Sequence, residues 1–157
     1  IIAVLSLYFY RYSYFRFINR GYIGYGFIFV VMFMGVLPNK WTLTRNLKKN
    51  RGVFSILAFM LISPHAIGHI FGFLGSVNLF GIIAYAIMVP LTIISFRVIR
   101  KEINPKDWFT IQKAAYLVYI ALFTHLILIS AWENKIVYAV LLTLYVNNKL
   151  IKEYRKK

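Results

Sequence analysis

The sequence predicts an all-α integral membrane protein, a helical bundle of about six transmembrane segments that forms a single domain over residues 1–157. Of its 157 residues, 61% are hydrophobic and only 15% are charged, whereas a soluble domain carries about 25% charged residues. This composition indicates a chain that lies in the lipid bilayer. Because the chain has no cysteine, disulfides, zinc–thiolate sites and thiol catalysis are excluded.

Six apolar stretches are the predicted segments. A helix that spans the hydrocarbon core needs about 20 mostly apolar residues. The first stretch is short and the last one carries Lys149, so the two terminal segments are left open. The true N-terminus is also left open, because the chain begins at Ile1 rather than at a methionine. The segments lie near residues 1–10, 22–37, 53–74, 79–96, 109–131 and 136–151.

The basic residues are concentrated in the connections on one predicted side of the membrane. Of the 19 Lys and Arg residues, five lie in 38–51, four in 97–107 and five in the tail from residue 149. The positive-inside rule therefore predicts that these two loops and the C-terminus are cytoplasmic, in a multi-pass protein of the cell membrane. A basic cluster at residues 11–20 opposes this orientation. The net charge of +15 is thus assigned to the membrane surface, and no nucleic acid is expected as a partner.

All three histidines lie inside apolar stretches. His65 and His69 are four residues apart in one segment and share a helix face. His65 lies about 20 Å, and His125 about 25 Å, from the cytoplasmic ends of their helices, and His69 matches His125 in depth equally well. Intramembrane histidines are functional candidates, and two imidazoles at similar depth suit the axial ligation of a haem. Hydrogen bonding between helices is the structural alternative.

The acidic residues argue against a proton or cation pathway, because all of them lie at membrane edges or in connections. A transporter is therefore a weaker hypothesis. Signatures of soluble enzymes are also absent from the sequence, including a Gly-rich phosphate loop, paired carboxylates and a nucleophile elbow. The acidic residues are Glu102, Asp107, Glu133 and Glu153.

The order of several features is similar to that of a known family. A Gly-led helix ends in a Pro-containing turn at Pro38, and Arg51-Gly52 opens the helix that reaches His65. Further on, Trp108 is followed seventeen residues later by His125. From about residue 21 to residue 129, the chain resembles the ferric reductase-like transmembrane family. Within this family it resembles the MsrQ type of haem-binding membrane subunit.

The resemblance implies a set of ligands. In the family, paired histidines on the third and fifth helices bind b-type haem, and by position these are His65 and His125. His69 has no counterpart and is the alternate ligand. The two positions where family members carry inner histidines are Gln112 and Arg51 here. The resemblance therefore implies one haem b, as in the single-haem STEAP type, in which a flavin occupies the inner half.

The function that the resemblance implies is electron transfer across the membrane. Electrons would pass from a cytoplasmic flavin reductase or the quinone pool, by way of FMN, FAD or a quinone, to an external acceptor such as ferric iron or a partner redox protein. The chain would be the transmembrane component of an oxidoreductase, since it has no Rossmann segment of its own. The alternative is a haem-free membrane scaffold or assembly subunit from the same family.

Candidate anchors for the flavin, the quinone or a haem propionate are basic or polar residues near the cytoplasmic ends of the segments. Guanidinium groups suit phosphates and carboxylates, although inner-face arginines also serve topology and lipid head groups. The candidates are Arg45, Arg51, Arg97, Arg100 and Gln112.

Overall fold

The computed structural model describes residues 20–72 and 78–154 of the chain. These residues form helices and the turns between them, which confirms the all-α prediction. The predicted segment at 1–10, the basic residues Arg11 and Arg16, and the last three residues lie outside the described residues. The helices are α1 (Tyr22–Met34), α2 (Thr42–Lys49), α3 (Arg51–Ile70), α4 (Leu79–Ile93), α5 (Arg97–Glu102), α6 (Pro105–Gln112), α7 (Ala115–Ile129) and α8 (Trp132–Tyr154).

The two basic connections are more regular than the sequence predicted. Residues 38–51 and 97–107 were expected to be loops, but they contain the short helices α2 and α5. No residue of α5 is buried, and α2 has only eight residues, so both are far shorter than a membrane span. Each has two basic residues in its last turn, where the helix dipole favours positive charge. The end charges therefore support two short helices that a search for spanning apolar stretches does not detect.

Two helical stretches are long and apolar enough to cross a membrane. They are α3 and the stretch Pro105–Ile129, in which α6 and α7 follow each other directly. The helices α1 and α4 are apolar but shorter. With 13 residues, α1 is about 20 Å long, whereas the hydrocarbon core is about 30 Å thick. The number of spans therefore stays a prediction.

The helices pack in two close pairs, α1 on α3 and α4 on α7, with α3 touching α4 and α8 touching α7. Gly24 makes the first pair possible, because a Cβ atom there would lie 2.8 Å from the backbone nitrogen of Ile62. Phe123 and Met32 are almost wholly buried between the pairs. The core therefore holds the α1–α3 pair against the α4–α7 pair. This packing fixes the orientation of the faces of α3 and α7 that carry histidines.

The outer faces of the two long stretches are apolar. Met60 on α3 is 59% exposed and Ile120 on α7 is 64% exposed. Large exposed apolar surfaces on a monomer mark contact with protein or lipid. Because backbone polar groups are satisfied within each helix, such a surface is suited to hydrocarbon.

Candidate functional site

A cavity of about 260 Å³ lies at the end of the bundle where α3 and α7 finish. We call it the histidine cavity. All three histidines line it, together with residues of α1 and α4 and the turn before α4. Its polar residues are Tyr25, His65, His69, Asn78, Tyr85 and His125. His65 and His125, for which the sequence predicted similar depths, thus line one cavity together with His69.

The hydroxyl of Tyr25 lies between two of the histidines. It is 3.1 Å from Nε2 of His65 and 3.2 Å from Nε2 of His125. Tyr25 reaches this position from α1, which packs against α3. The Nε2 atoms of His65 and His125 therefore face a common point.

The separation of the two imidazole rings equals that of a pair on one metal atom, whereas their Nε2 atoms point at the Tyr25 hydroxyl and not at each other. The ring centroids of His65 and His125 are 6.3 Å apart. Two imidazoles on opposite sides of one metal, each at a metal–nitrogen distance of about 2.0 Å, have centroids about 6 Å apart. The ring of His69 lies 4.7 Å from that of His65 and lines the same cavity. His69 is thus a neighbour of the pair.

Asn78 contacts the other nitrogen of His125. The Oδ1 atom of Asn78 lies 3.1 Å from Nδ1 of His125. The same oxygen accepts the backbone N–H groups of Phe80 at 3.0 Å and Gly81 at 3.3 Å. Because two N–H donors point at it, this atom is the carbonyl oxygen and not the amide nitrogen. His125 must therefore donate from Nδ1, and in the neutral ring Nε2 then carries a lone pair.

Two glycines allow the histidine rings to approach the backbone. A Cβ atom on Gly81 would lie 2.9 Å from both Cε1 and Nδ1 of His125. Gly21, at the start of α1, has a φ of 75°, a conformation that side chains disfavour. A Cβ atom there would also lie 3.1 Å from Cγ of His65. Small residues thus form part of the walls behind both rings.

A second cavity of about 260 Å³ lies near the opposite end of α3. We call it the basic cavity. It contains Arg51 from the start of α3, and Lys113 and Lys149 from the segments on either side of α7. Gln112, Tyr116, Tyr119 and Tyr145 are its other polar residues, and none of the described residues that line it is acidic. The hydroxyl of Tyr119 is buried there, close to the Arg51 guanidinium.

Positive charge extends from the basic cavity onto the adjoining surface. The pKa of Lys48 is lowered, first by burial and then by the positive charges of Lys152 and Arg51. The ammonium of Lys48 donates to the carbonyl of Leu37 at 2.9 Å, and Lys152 donates to the carbonyl of Gly35. Two lysines therefore donate hydrogen bonds to carbonyls just after the end of α1. Lys149 pairs with Glu153 at 3.1 Å, which offsets part of the charge.

One comparison with known proteins gave a match. The family described as ferric reductase like transmembrane component matches residues 20–123. The chain belongs to this family. Membership of the ferric reductase-like family indicates a membrane protein with a role in electron transfer. The match includes His65 and both inner positions, Arg51 and Gln112, and it stops two residues before His125. No curated protein and no solved structure matches the chain significantly.

Within this ferric reductase-like domain, the five residues predicted to anchor an inner cofactor or a haem propionate fall into two groups. Arg51 and Gln112 come from different helices and meet at the basic cavity, and Gln112 donates to the Ser95 hydroxyl at 3.3 Å. The remaining three arginines do not line it. Arg45 is exposed and donates to the carbonyls of Asn39 and Lys40, just before α2, and Arg100 lies 4.3 Å over the ring of Trp108. Arg97 is exposed on α5.

Several polar residues of the two cavities, among them Tyr25, Tyr119 and Asn78, were not predicted from the sequence. Tyr25 and Tyr119 are ordinary aromatic residues in apolar helices, and nothing in their spacing distinguishes them. Asn78 precedes an apolar run, which is the pattern of a helix N-cap. Its cap was therefore detectable from sequence, whereas its contact with His125, 47 residues away, was not.

Proposed function

We propose that this chain is a single-haem electron-transfer subunit of the MsrQ type, with His65 and His125 as the axial ligands of one b-type haem. His69 is the alternate ligand. The protein would be a multi-pass component of the cell membrane, with the loops 38–51 and 97–107 and the C-terminus in the cytoplasm. The histidine cavity would then lie in the outer half of the bilayer.

The observation that carries this proposal is the pair of Nε2 atoms facing a common point. Among the described residues there is no group of three or more His, Cys, Asp or Glu side chains that could bind a bare metal ion. Two imidazoles instead suit a metal that brings its own equatorial ligands, which is the property of haem. The donor set therefore fits the group that the resemblance implies.

The residues around the cavity set its chemical properties. A haem with two imidazole ligands exchanges electrons and has no open position for a substrate. Asn78 holds the His125 ring through Nδ1, which orients the ligand and raises its basicity. His125 is 7% exposed, and Ile62, Leu122 and Ile129 line the cavity. These apolar walls limit the access of water and so influence the reduction potential.

A second carrier is required on the cytoplasmic side. Arg51 is fourteen residues before His65 on α3, which separates them by about 21 Å along the helix. We place this carrier in the basic cavity, where Arg51, Lys113 and Lys149 line the walls. Three cations favour a flavin that bears a phosphate, FMN or FAD, over an uncharged quinone. Arg45, Arg97 and Arg100 lie outside this cavity, and we assign them to membrane-surface contacts.

The direction of transfer follows from this order of sites. A cytoplasmic flavin reductase or the quinone pool would reduce the inner carrier, and the histidine cavity would release electrons to ferric iron or to an external redox protein. Gln112 and Lys113, which line the basic cavity, are within the group that would contact the inner carrier. In this scheme the chain supplies the membrane part of an oxidoreductase.

One observation favours the alternative of a haem-free scaffold. The Tyr25 hydroxyl already satisfies Nε2 of both His65 and His125. Such a network can hold helices together as interhelical hydrogen bonds do in other membrane proteins. The two functions differ in one property, the presence of the pigment.

The test is the absorption spectrum of the protein purified in mild detergent, before and after reduction with dithionite. The proposal predicts the low-spin spectrum of a b-type haem and its loss in His125→Ala. A wild-type protein that folds, stays colourless and cannot be reconstituted with haem would overturn the proposal and leave the scaffold function. A high-spin spectrum would contradict the two-histidine ligation.

A further inference from the structure

Asn78 makes two kinds of contact with one atom. Its Oδ1 caps α4 by accepting from Phe80 and Gly81, and it also accepts from Nδ1 of His125 on α7. The helices α4 and α7 form one of the close pairs of the bundle. The start of α4 and the ring of His125 are therefore tied to the same oxygen.

We propose that Asn78 is the positioning residue of the outer ligand: it holds the His125 proton on Nδ1, so that Nε2 is the nitrogen that faces the cavity with its lone pair. The part of this inference that concerns the iron depends on the proposed haem function. The part that concerns the tautomer does not, because it follows from hydrogen bonds in the protein alone. A ligating histidine generally donates its other N–H to a fixed acceptor.

The hydrogen bonds of the neighbouring residues agree with this assignment. With the proton on Nδ1, the Nε2 atom of His125 accepts the O–H of Tyr25, which lies 3.2 Å away. The Tyr25 oxygen then accepts from Nε2 of His65 at 3.1 Å. In this series of hydrogen bonds, which runs from His65 through Tyr25 and His125 to Asn78, each donor has one acceptor. The opposite tautomer of His125 would place a bare nitrogen against the bare oxygen of Asn78.

Three substitutions separate the two contacts. Asn78→Ala removes both the cap and the acceptor. Asn78→Ser restores a capping oxygen, but its side chain is one atom shorter and does not reach His125. Asn78→Asp keeps an oxygen that can accept hydrogen bonds both from the start of α4 and from His125. Asn104→Ala is the matched control, because Asn104 caps α6 through the N–H of Lys106 at 3.0 Å and lines neither side of the histidine cavity.

The first readout is the tautomer of His125 in the haem-free protein. Nitrogen-15 chemical shifts of a sample labelled at histidine, with His125 assigned by difference, should show the Nδ1–H form in the wild type, in Asn78→Asp and in Asn104→Ala. The Asn78→Ala and Asn78→Ser proteins should show a mixture of tautomers. An unchanged tautomer in both of the latter would overturn the inference, whether or not the protein binds haem.

The second readout is the haem-loaded protein. Loss of the acceptor should weaken haem binding by roughly 10- to 100-fold in Asn78→Ala and Asn78→Ser, with little change in Asn104→Ala. Asn78→Asp should retain haem and lower its reduction potential, because a carboxylate makes the ligand more basic. If serine restores wild-type affinity, Asn78 acts only as a cap and the inference is wrong. A wild type that binds no haem contradicts the proposed function, but the tautomer result stands by itself.

Discussion

The two cavities have the same volume, about 260 Å³ each, but opposite chemistry. The histidine cavity combines imidazole, phenol and carboxamide groups, and none of the described residues that line it is Lys or Arg. The basic cavity has three cations and no described histidine. They lie at the two ends of α3, since Arg51 begins the helix and His65 is near its end. Neutral nitrogen donors suit a metal, whereas cations suit an anion.

In the proposed function, this difference would give one fold two unlike sites for carriers. At the positions where the resemblance implies inner histidines, the chain has Arg51 and Gln112, and both line the basic cavity. The proposal therefore assigns an anionic carrier, and not a second haem, to the inner site. The predictions below test the two sites separately, from the largest expected effect to the smallest.

The largest effect is expected at the axial pair. His65→Ala and His125→Ala should each abolish haem binding, because six-coordinate ligation needs both imidazoles. His69→Ala is the matched control from the same helix and the same cavity, and it should keep most of the haem. The measurement is the Soret absorbance per milligram of purified protein. If His69→Ala loses the pigment and His65→Ala keeps it, the alternate ligand is the correct one.

At the other end of α3, Arg51→Gln should weaken the binding of FMN. A charge-assisted hydrogen bond contributes about 1.5–3 kcal/mol, which corresponds to a change in Kd of roughly 10- to 100-fold. Flavin fluorescence quenching would measure the Kd.

Arg97→Gln is the control for charge, because Arg97 lies on a helix with no buried residue. Equal losses in the two variants would mean that general surface charge, and not the basic cavity, binds the flavin. Haem content should stay at the wild-type level in both, since neither residue lines the histidine cavity.

Gly81→Ala should displace the His125 ring in the histidine cavity through a steric clash. The new methyl group would lie 2.9 Å from the His125 ring, and overpacking of this kind costs about 1–3 kcal/mol. We expect haem affinity to fall by about tenfold, measured by titrating haem into the haem-free protein. Gly26→Ala is the control, because a Cβ atom there has no neighbour within 4 Å. A drop of the same size in Gly26→Ala would point to a general helix effect.

The smallest effect is expected from Tyr25→Phe, and its sign is opposite. In the proposed haem site the hydroxyl would compete with iron for Nε2 of His65 and His125, and at about 0.5 kcal/mol each, the lower end of the usual range, the two hydrogen bonds contribute about 1 kcal/mol together. Removing the hydroxyl should therefore raise the haem association constant by about fivefold. The same titration measures it. A fall in affinity would mean that the hydroxyl supports the bound state.

Apolar length was sufficient to predict the all-α fold and the main helices. The choice of His65 and His125 as a pair came from the resemblance, because residue rise alone matches His69 with His125 equally well, and their role as ligands stays a prediction. The meeting of Arg51 and Gln112 at one cavity depends on helix packing. The sequence also did not predict the short helices α2 and α5 or the contact between Asn78 and His125. That contact depends on how α4 packs on α7, and no local signal specifies it.

The measurement that tests the central claim most directly is the number of haems per chain, from a pyridine haemochrome assay and quantitative amino-acid analysis of one sample. The separation of the two sites predicts one haem per chain, bound in the histidine cavity. Two haems would place a haem in the basic cavity and contradict the assignment of Arg51 and Gln112. No haem, in a folded protein supplied with excess haem, would contradict the proposed electron-transfer function.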